Sequence, residues 1–363
     1  MLEQIAFQNF RCFRNLSLPA LSQFTLLTGK NSAGKSSVLE GIFLLMGYSY
    51  PDIFEKIRTL RGMPAAADIT KLWEPVFHGM DTAQPIRISA RYHGVPVQLR
   101  YTRDDSFASL NYRQSVQNTF ITFTAPAGFS ALRYEFSSPE YREAGHLFTN
   151  VNGNLAMSTD VPAGTNENLS RRAFFSNSLF IKNTLAGGLD DAGLAGWFGE
   201  LELKGEQQLV IDALRIIDPS IRDVKAIVQQ RYIQLYVRTG ESMLPVKLTG
   251  DGMCKLIYIV LAVLQNPNAV VLIDEIENGF HYSMQEAFWR VLAQAAERSN
   301  SQIIATTHSY ECIEHAVEGI SNSGWLEDFT LYRLDHSVDG NPTAVQYTGD
   351  LLKDAVASSM EVR

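Results

Sequence analysis

The stretch Gly29-Lys30-Asn31-Ser32-Ala33-Gly34-Lys35-Ser36 decides the fold, because it fits the pattern G-x-x-x-x-G-K-[ST]. The apolar residues 24–27 before it indicate a buried strand, and residues 37–45 after it have the character of a helix. A glycine loop between a strand and a helix lets backbone N–H groups converge on an anion at the helix N-terminus. The stretch therefore predicts a site for the phosphates of a nucleoside triphosphate.

The chemistry of such a loop assigns a role to two side chains. We expect Lys35 to reach the β- and γ-phosphates and the Ser36 hydroxyl to bind Mg²⁺. The alternative is a chance match in a glycine-rich turn, which the strand before it and the helix after it disfavour. The predicted nucleotide-binding residues are Gly29, Lys30, Asn31, Ser32, Ala33, Gly34, Lys35, Ser36 and Ser37.

The composition is that of a globular protein with a large core. Of 363 residues, 45% are hydrophobic, and the net charge of -8 argues against a broadly basic surface that coats nucleic acid. A local basic patch, and hence contact with DNA, remains open. Three widely spaced cysteines and the lack of a basic-then-apolar N-terminus predict a cytoplasmic protein without disulfides, signal peptide or membrane segment.

Changes in patterning along the chain predict four segments. Residues 86–136 alternate apolar with polar side chains, as in an antiparallel sheet, whereas residues 137–168 are rich in Gly, Ser, Asn and Thr and indicate a loop. Residues 195–217 have helical spacing, and residues 224–237 return to alternation. The predicted segments are an N-terminal part of the nucleotide-binding domain (1–85), an antiparallel lobe with linker (86–165), a helical arm or lid (166–222) and a C-terminal part of the nucleotide-binding domain (223–363).

The second half supplies an acidic pair at the end of a predicted strand. Residues 269–273 form a short apolar run, as in a strand buried on both faces of a parallel sheet, and Asp274 and Glu275 follow it. A carboxylate at this position can bind Mg²⁺, so Asp274 joins Ser36 as a predicted metal ligand. Glu275 can polarise the attacking water as general base. The alternative is that the pair only caps the next helix.

Two further loops have the features of a nucleotide site. Residues 301–306 predict another buried strand, and a histidine at its end, His308, would point into the crevice at the carboxyl edge of the sheet. His308 is therefore a second candidate catalytic residue. Between the phosphate loop and the acidic pair, Gly250-Asp251-Gly252 opens an apolar helix and offers another anion-binding N-terminus.

The order of these motifs resembles the ABC-type ATPase heads of the SMC/RecF/OLD branch, including small standalone bacterial AAA/ATP-binding proteins of anti-phage defence systems. The opening segment Asn9-Phe10-Arg11-Cys12-Phe13 is also similar to that family. The resemblance implies an α/β P-loop NTPase head with a mostly parallel core sheet, an antiparallel β-lobe and a short helical arm or lid insertion. It further implies that the bound triphosphate is ATP.

The family resemblance assigns roles to the remaining motifs. Residues 29–36 become Walker A, Asp274 and Glu275 become Walker B, and His308 becomes the switch histidine. The implied signature loop, which acts in trans on the nucleotide of another copy, comprises Thr249, Gly250, Asp251 and Gly252. Gly250 stands where the family usually has a serine, unless Thr249 fills that place with a register shifted by one, and no Q-loop glutamine is identified. Slow ATP hydrolysis is therefore expected.

The resemblance implies an ATP-dependent homodimer or higher homo-oligomer that acts as a switch or sensor for a separately encoded, nuclease-like effector in anti-phage defence. The stretch after His308 is too short for the nuclease domain of OLD proteins, so the chain itself is not expected to be a nuclease. The alternative is a RecF-like DNA-binding ATPase clamp, to which the arginines of the antiparallel lobe would contribute. Transport ATPases are disfavoured, because they lack the opening segment at Asn9.

Overall fold

A computed structural model describes most of the chain. The described residues are 1–63, 70–107, 109–114, 119–124, 131–149, 155–160, 178–181, 191–229, 232–337 and 341–358. Within them, the fold is mixed α/β, with one mostly parallel sheet, one large antiparallel sheet and two small antiparallel sheets.

The core is a six-stranded sheet in the order β11-β15-β16-β3-β17-β18. All neighbours in it are parallel except β17 and β18, which are antiparallel. Its central strands are buried on both faces, which is why their sequences are continuous apolar runs rather than alternating ones. The strands are β3 (Phe24–Gly29), β11 (Ser178–Ile181), β15 (Val270–Ile273), β16 (Gln302–Thr306), β17 (Phe329–His336) and β18 (Pro342–Thr348).

Helices cover both faces of this sheet and produce two apolar cores. Alternate side chains of β3 divide between them: Leu26 belongs to the first core and Leu27 to the second. In the described part of the chain, no helix is long and apolar enough to cross a membrane. The helices are α1 (Lys35–Met46), α2 (Ile53–Leu60), α3 (Thr70–Trp73), α4 (Asp191–Leu203), α5 (Gln207–Ile217), α6 (Asp251–Gln265), α7 (Tyr282–Ser299), α8 (Tyr310–Asn322) and α9 (Gly349–Ala357).

The large antiparallel sheet has the order β10-β9-β8-β5-β4-β1-β2. Its inner face packs with α1 in the second core, and its outer face carries polar side chains, as alternation predicts. It draws strands from both sides of residue 85, and the predicted segment boundaries stay a prediction. Its strands are β1 (Leu2–Phe10), β2 (Phe13–Leu18), β4 (Ile86–Tyr92), β5 (Val95–Asp104), β8 (Ala131–Ser137), β9 (Arg142–Thr149) and β10 (Leu155–Met157).

Two small sheets and the inserted helices complete the fold. The small sheets are β6 (Ser109–Gln114) with β7 (Thr119–Thr124), and β12 (Ile221–Gln229) with β13 (Tyr232–Thr239) and β14 (Ser242–Pro245). The predicted helical insertion is present as α4 and α5. These helices bury Phe198 and Leu214 in the first core, and Gln265 of α6 donates to the carbonyl of Trp197 at 2.7 Å.

The prediction of a loop over residues 137–168 is wrong at β9 and β10, which are strands. Composition favoured a loop, but β9 pairs antiparallel with β8 over residues 142–149 and β10 pairs with β9. Pairing partners distant in sequence override the local preference, since strand propensity depends largely on the neighbouring strands. Residues 150–154 and 161–168 of this prediction lie outside the described residues.

The packing of α7 on α8 depends on Gly319. A Cβ at this position would lie 2.7 Å from the Glu286 carbonyl oxygen and 2.7 Å from Trp289 Cβ. We therefore expect Gly319→Ala to lower the free energy of unfolding by about 1–3 kcal/mol, because overpacking forces the two helices apart.

The matched control is Gly196→Ala in α4, where no atom lies within 4 Å of the added Cβ. Alanine is the better helix former, so this change should raise the free energy of unfolding by about 0.5–1 kcal/mol. Urea unfolding of both variants measures the difference. Equal stability of the two variants would contradict the proposed close packing of α7 and α8.

Candidate active site

The carboxyl ends of three adjacent parallel strands bring the predicted site residues together. β15 pairs with β16, and β16 pairs with β3. Residues that follow parallel strands meet at the same edge of the sheet, where ligands bind in open α/β folds. The loop after β3, the acidic pair after β15 and the histidine after β16 therefore lie at one edge.

The phosphate loop joins β3 to α1 through backbone conformations that favour glycine. Gly34 precedes the first residue of α1 with φ 98°, and Gly29 has φ 131°. A Cβ at Gly29 would also clash with the carbonyl oxygen of Leu334 in β17. These two glycines allow the chain to turn from the buried strand into the helix with its first N–H groups free to face an anion.

The Lys35 side chain folds back over the loop. Its Nζ donates to the carbonyl oxygens of Gly29 at 2.6 Å and Lys30 at 3.0 Å, and the residue is only 4% exposed. Burial lowers the pKa of Lys35, against the opposing effect of Asp274 and neighbouring carboxylates. The ammonium thus sits at the loop with carbonyl partners that phosphate oxygens can replace.

Asp274 accepts hydrogen bonds from two hydroxyl groups of the site. Its Oδ1 accepts hydrogen bonds from Ser36 Oγ at 3.0 Å and from Thr306 Oγ1 at 2.7 Å, and the residue is 3% exposed. Thr306 also accepts from the backbone N–H of Glu275 at 2.8 Å. The two predicted metal ligands, Ser36 and Asp274, are therefore in direct contact.

Glu275 and His308 face each other across a gap. His308 Nε2 lies 4.0 Å from Glu275 Oε1, and their side chains are 39% and 38% exposed. Asn278 donates to the other carboxylate oxygen of Glu275 at 2.7 Å. Glu275 has φ 51°, an uncommon conformation for a residue other than glycine, so the surrounding contacts must hold this turn in place.

A second acid, Glu277, binds the backbone of the loop that carries His308. Its Oε1 accepts from the backbone N–H of His308 at 2.7 Å, and among the described residues no donor pairs with its buried Oε2. The loop after β15 thus contacts the loop after β16 both through Glu275 and through Glu277.

The predicted signature loop begins α6 and lies against the segment that follows Asp274. Gly250 precedes α6 with φ 103°, and Thr249 Oγ1 donates to the carbonyl of Val246 at 2.6 Å. A Cβ at Gly252 would lie 2.6 Å from the carbonyl oxygen of Gly279. Within the described residues, no hydrogen bond or ion pair joins residues 249–252 to the phosphate loop of the same chain.

A cavity of about 580 Å³ opens beside the phosphate loop. A buried carboxylate on α1 organises one wall: Glu40 pairs with Arg11 at 2.9 Å and with Arg61 at 2.6 Å. Arg11 also donates to the carbonyl of Pro75 at 2.8 Å. This network fixes the turn between β1 and β2, and the end of α2, next to the loop.

The oxygen atoms at Ser36 and Asp274 fit Mg²⁺. This ion prefers oxygen ligands and commonly uses one or two carboxylates, with substrate phosphates and waters completing its shell. No group of three or more His, Cys, Asp or Glu side chains with metal-binding geometry occurs in the described part of the chain.

Sequence reasoning missed Thr306, Glu277 and Lys255 as functional candidates. Thr306 ends a buried strand as a polar residue, and Lys255 is the only charged side chain between Asp251 and Gln265 in an otherwise apolar helix. A lone charge in an apolar helix indicates a buried partner, so the sequence alone could have identified Lys255 as a candidate. The partner itself depends on how α6 packs, which the sequence does not reveal.

Two family models match this chain, and together they span residues 1–314. Residues 104–314, more than half of the chain, match the family described as "AAA domain, putative AbiEii toxin, Type IV TA system". Residues 1–147 match the family described as "AAA ATPase domain". The first match contains Asp274, Glu275 and His308, and the second contains the phosphate loop.

Two individual proteins are similar in sequence to this chain. An ATP/GTP phosphatase of Helicobacter pylori is 23% identical over 358 residues, which cover 92% of each chain. An OLD nuclease of Thermus scotoductus is 36% identical over 61 residues, or 17% of this chain and 11% of that protein.

A solved structure supports the fold. An SMC head bound to the C-winged helix domain of ScpA has a TM-score of 0.52 and 12% identity, covering 96% of this chain and 98% of that chain. The chain therefore has the fold of an SMC-type ATPase head, and it belongs to the family described as "AAA domain, putative AbiEii toxin, Type IV TA system".

Proposed function

We propose that this ATPase is a switch that assembles into a homodimer or larger homo-oligomer when it binds ATP. The observation that carries the proposal is the open site: Glu275 and His308 are more than one-third exposed, whereas in the described part of the chain residues 249–252 make no hydrogen bond to the phosphate loop of their own chain. A loop with a free helix N-terminus is suited to meet the nucleotide of another copy. ATP would then favour the closed assembly because its γ-phosphate contacts both chains.

The residues of one chain have distinct roles in this proposal. The N–H groups of residues 29–37 hold the phosphates, and Lys35 exchanges its carbonyl partners for β- and γ-phosphate oxygens. Glu275 accepts a proton from the attacking water as general base. His308, 4.0 Å from Glu275, orients that water or the γ-phosphate.

Ser36 and Asp274 would hold Mg²⁺. When bound, this ion neutralises charge that develops on the β- and γ-phosphates. Thr306 fixes the carboxylate of Asp274 and the backbone of Glu275 with one hydroxyl group. The metal ligand and the general base are therefore oriented together.

The signature loop supports a slow rate of hydrolysis. Gly250 has no hydroxyl group, and the Thr249 hydroxyl already donates to the carbonyl of Val246. Neither residue offers a free hydroxyl donor to the γ-phosphate of another copy, and donors aimed at developing charge are a large part of catalysis. A slow ATPase suits a switch, because the assembled state then persists.

A separately encoded effector, nuclease-like and part of anti-phage defence, completes the proposal. Support comes from the family description, which names a toxin of a toxin–antitoxin system, and from the local similarity to an OLD nuclease. In this proposal the chain works in the cytoplasm and itself cleaves no nucleic acid.

A RecF-like DNA-binding clamp is the second candidate, favoured by arginines on the outer face of the antiparallel sheet. Arg87 in β4 lies directly opposite Arg100 in β5, and Arg91 follows on the same face. Like charges placed directly opposite destabilise a sheet unless an anion lies between them. Arg100 pairs with Glu135 at 3.2 Å, whereas among the described residues no acidic side chain pairs with Arg87.

Replacement of Glu275 by Gln should trap the assembly. The variant retains the phosphate loop but lacks the general base, so we expect ATP hydrolysis to fall by about 10²-fold or more and a larger species to accumulate with ATP. Multi-angle light scattering with and without ATP measures the mass.

The control is Lys35→Ala, which should bind ATP poorly and keep one mass in both conditions. If the mass of Glu275→Gln is the same with and without ATP, the oligomerisation switch is wrong. Co-expression with the products of neighbouring genes then tests the effector: a partner should copurify with Glu275→Gln in ATP and not with Lys35→Ala.

Loss of the Thr306 hydroxyl should affect turnover more than binding. Thr306→Val removes a donor to Asp274 and leaves the Glu275 N–H without its acceptor. We expect kcat to fall about 10- to 100-fold, with the ATP dissociation constant changed less than about threefold.

Thr330→Val is the matched control. Thr330 is equally buried and hydrogen-bonds Ser22 at 2.6 Å, at the opposite end of the sheet. Steady-state kinetics and equilibrium ATP binding compare the two variants. A kcat of Thr306→Val equal to that of Thr330→Val would show that the hydroxyl does not support catalysis.

The clamp hypothesis predicts salt-dependent DNA binding. If the outer sheet face contacts phosphates, Arg87→Gln with Arg91→Gln should reduce the slope of log Kobs against log salt concentration by about 2. Fluorescence anisotropy of duplex DNA with ATP measures the slope, and Arg298→Gln, at an exposed arginine near the end of α7, is the control. Absence of DNA binding by the unmodified protein at low salt would exclude the clamp.

A further inference from the structure

Lys255 is a buried cation close to the active site that the functions above do not use. It lies in the second turn of α6, five residues after Gly250, and is 7% exposed. Its Nζ donates to the carbonyl oxygens of Glu275 at 3.1 Å, Ile276 at 3.2 Å and Asn278 at 2.7 Å. We call residues 274–280, which contain these carbonyls, the catalytic segment.

The conformation of the catalytic segment depends on this cation. Glu275 has φ 51°, and the turn closes through a 3.1 Å bond from the Asn278 N–H to the Glu275 carbonyl. This arrangement points several carbonyl oxygens to one place, where they would repel each other without a positive charge between them. Lys255 supplies that charge and also lies 5.5 Å from the centre of the Phe280 ring.

Burying the Lys255 ammonium removes it from water, a desolvation penalty that an apolar side chain at this position would not have. Burial lowers the pKa of Lys255 to about 8, while Glu277 and Glu275 act in the opposite direction. All residues of α6 from Leu256 to Leu264 are apolar or aromatic. A lysine at this position is therefore explained by its contact with the catalytic segment.

The same helix makes a second contact with the catalytic segment through the signature loop. Gly252 approaches the Gly279 carbonyl so closely that a Cβ there would lie 2.6 Å from the oxygen. The catalytic segment in turn carries Glu275, and Glu277 binds the backbone of His308. A displacement of the start of α6 must therefore move these groups or break their bonds.

We propose that Lys255 is a positioning residue that links the signature loop to Glu275 and His308 of the same chain. Contact of the loop with another copy's nucleotide then aligns the catalytic groups of its own site. This inference rests on the proposed composite site, in which the signature loop of one copy meets the nucleotide bound by another. It adds the route by which one site affects the other.

Lys255→Met tests the link, because methionine fills similar space without donors or charge. We expect kcat to fall at least about 30-fold, as for catalytic groups displaced by about 1 Å, and the Hill coefficient for ATP to fall to 1. The dissociation constant of a non-hydrolysable ATP analogue should change less than about twofold, because the described hydrogen bonds of Lys255 go to residues 275–278 and not to the phosphate loop. Lys255→Arg restores donors and charge and should recover kcat to within about fivefold.

The control is Lys225→Met, an exposed lysine on β12 that pairs with Glu202. Lys255→Met with kcat within about threefold of this control would overturn the inference. So would a parallel loss of ATP binding and turnover, which indicates a purely structural role. A specific activity of the unmodified protein that does not depend on its concentration would instead overturn the composite site.

Hydrogen–deuterium exchange on the unmodified protein tests the link even if Lys255→Met does not fold. On titration with the non-hydrolysable ATP analogue, peptides that contain residues 250–256 and 274–280 should gain protection together, with one midpoint. Separate midpoints, or protection of only one peptide, would overturn the inference.

Discussion

The hydrogen bonds to the Asp274 carboxylate are the interaction on which the site depends. Ser36 Oγ, at the start of α1, and Thr306 Oγ1, at the end of β16, donate to the same oxygen. A carboxylate that is 3% exposed is costly to bury without such donors. The order of parallel strands makes the contact possible, since β16 lies between β15 and β3 and its last hydroxyl bonds Asp274 and Glu275, which follow β15.

The sequence predicted the parts of the structure that local patterns determine. The phosphate loop is recognisable because its glycines, its lysine and the strand before it occur within about a dozen residues. The buried strands ending at Ile273 and Thr306 are continuous apolar runs, and both are present. The arrangement of the strands followed from a family resemblance and not from any local pattern.

What the sequence did not predict depends on partners that are distant in the chain. β9 has loop-like composition and becomes a strand only by pairing with β8, and β11 is short and pairs with β15, as in the pair Ser178 and Val270. Lys255, Glu277 and Thr306 show the same limit within the site. Thr306 and Glu277 are ordinary residues locally, and Lys255 indicates a buried partner without identifying it. The importance of each comes from a contact across 20 or more residues of sequence.

Symmetry extends these local contacts to the assembly that we propose. In a closed homodimer the same surfaces meet twice, so a chain whose signature loop covers a partner's nucleotide has its own nucleotide covered in return. The catalytic segment connects the two sites, because it contacts α6 through Lys255 and carries Glu275, which faces His308. A nucleotide bound at one site then changes the free energy of aligning the other, and by linkage the effect is equal in both directions. Such reciprocity gives a two-state switch, since alignment of one site alone would strain the catalytic segment of the other.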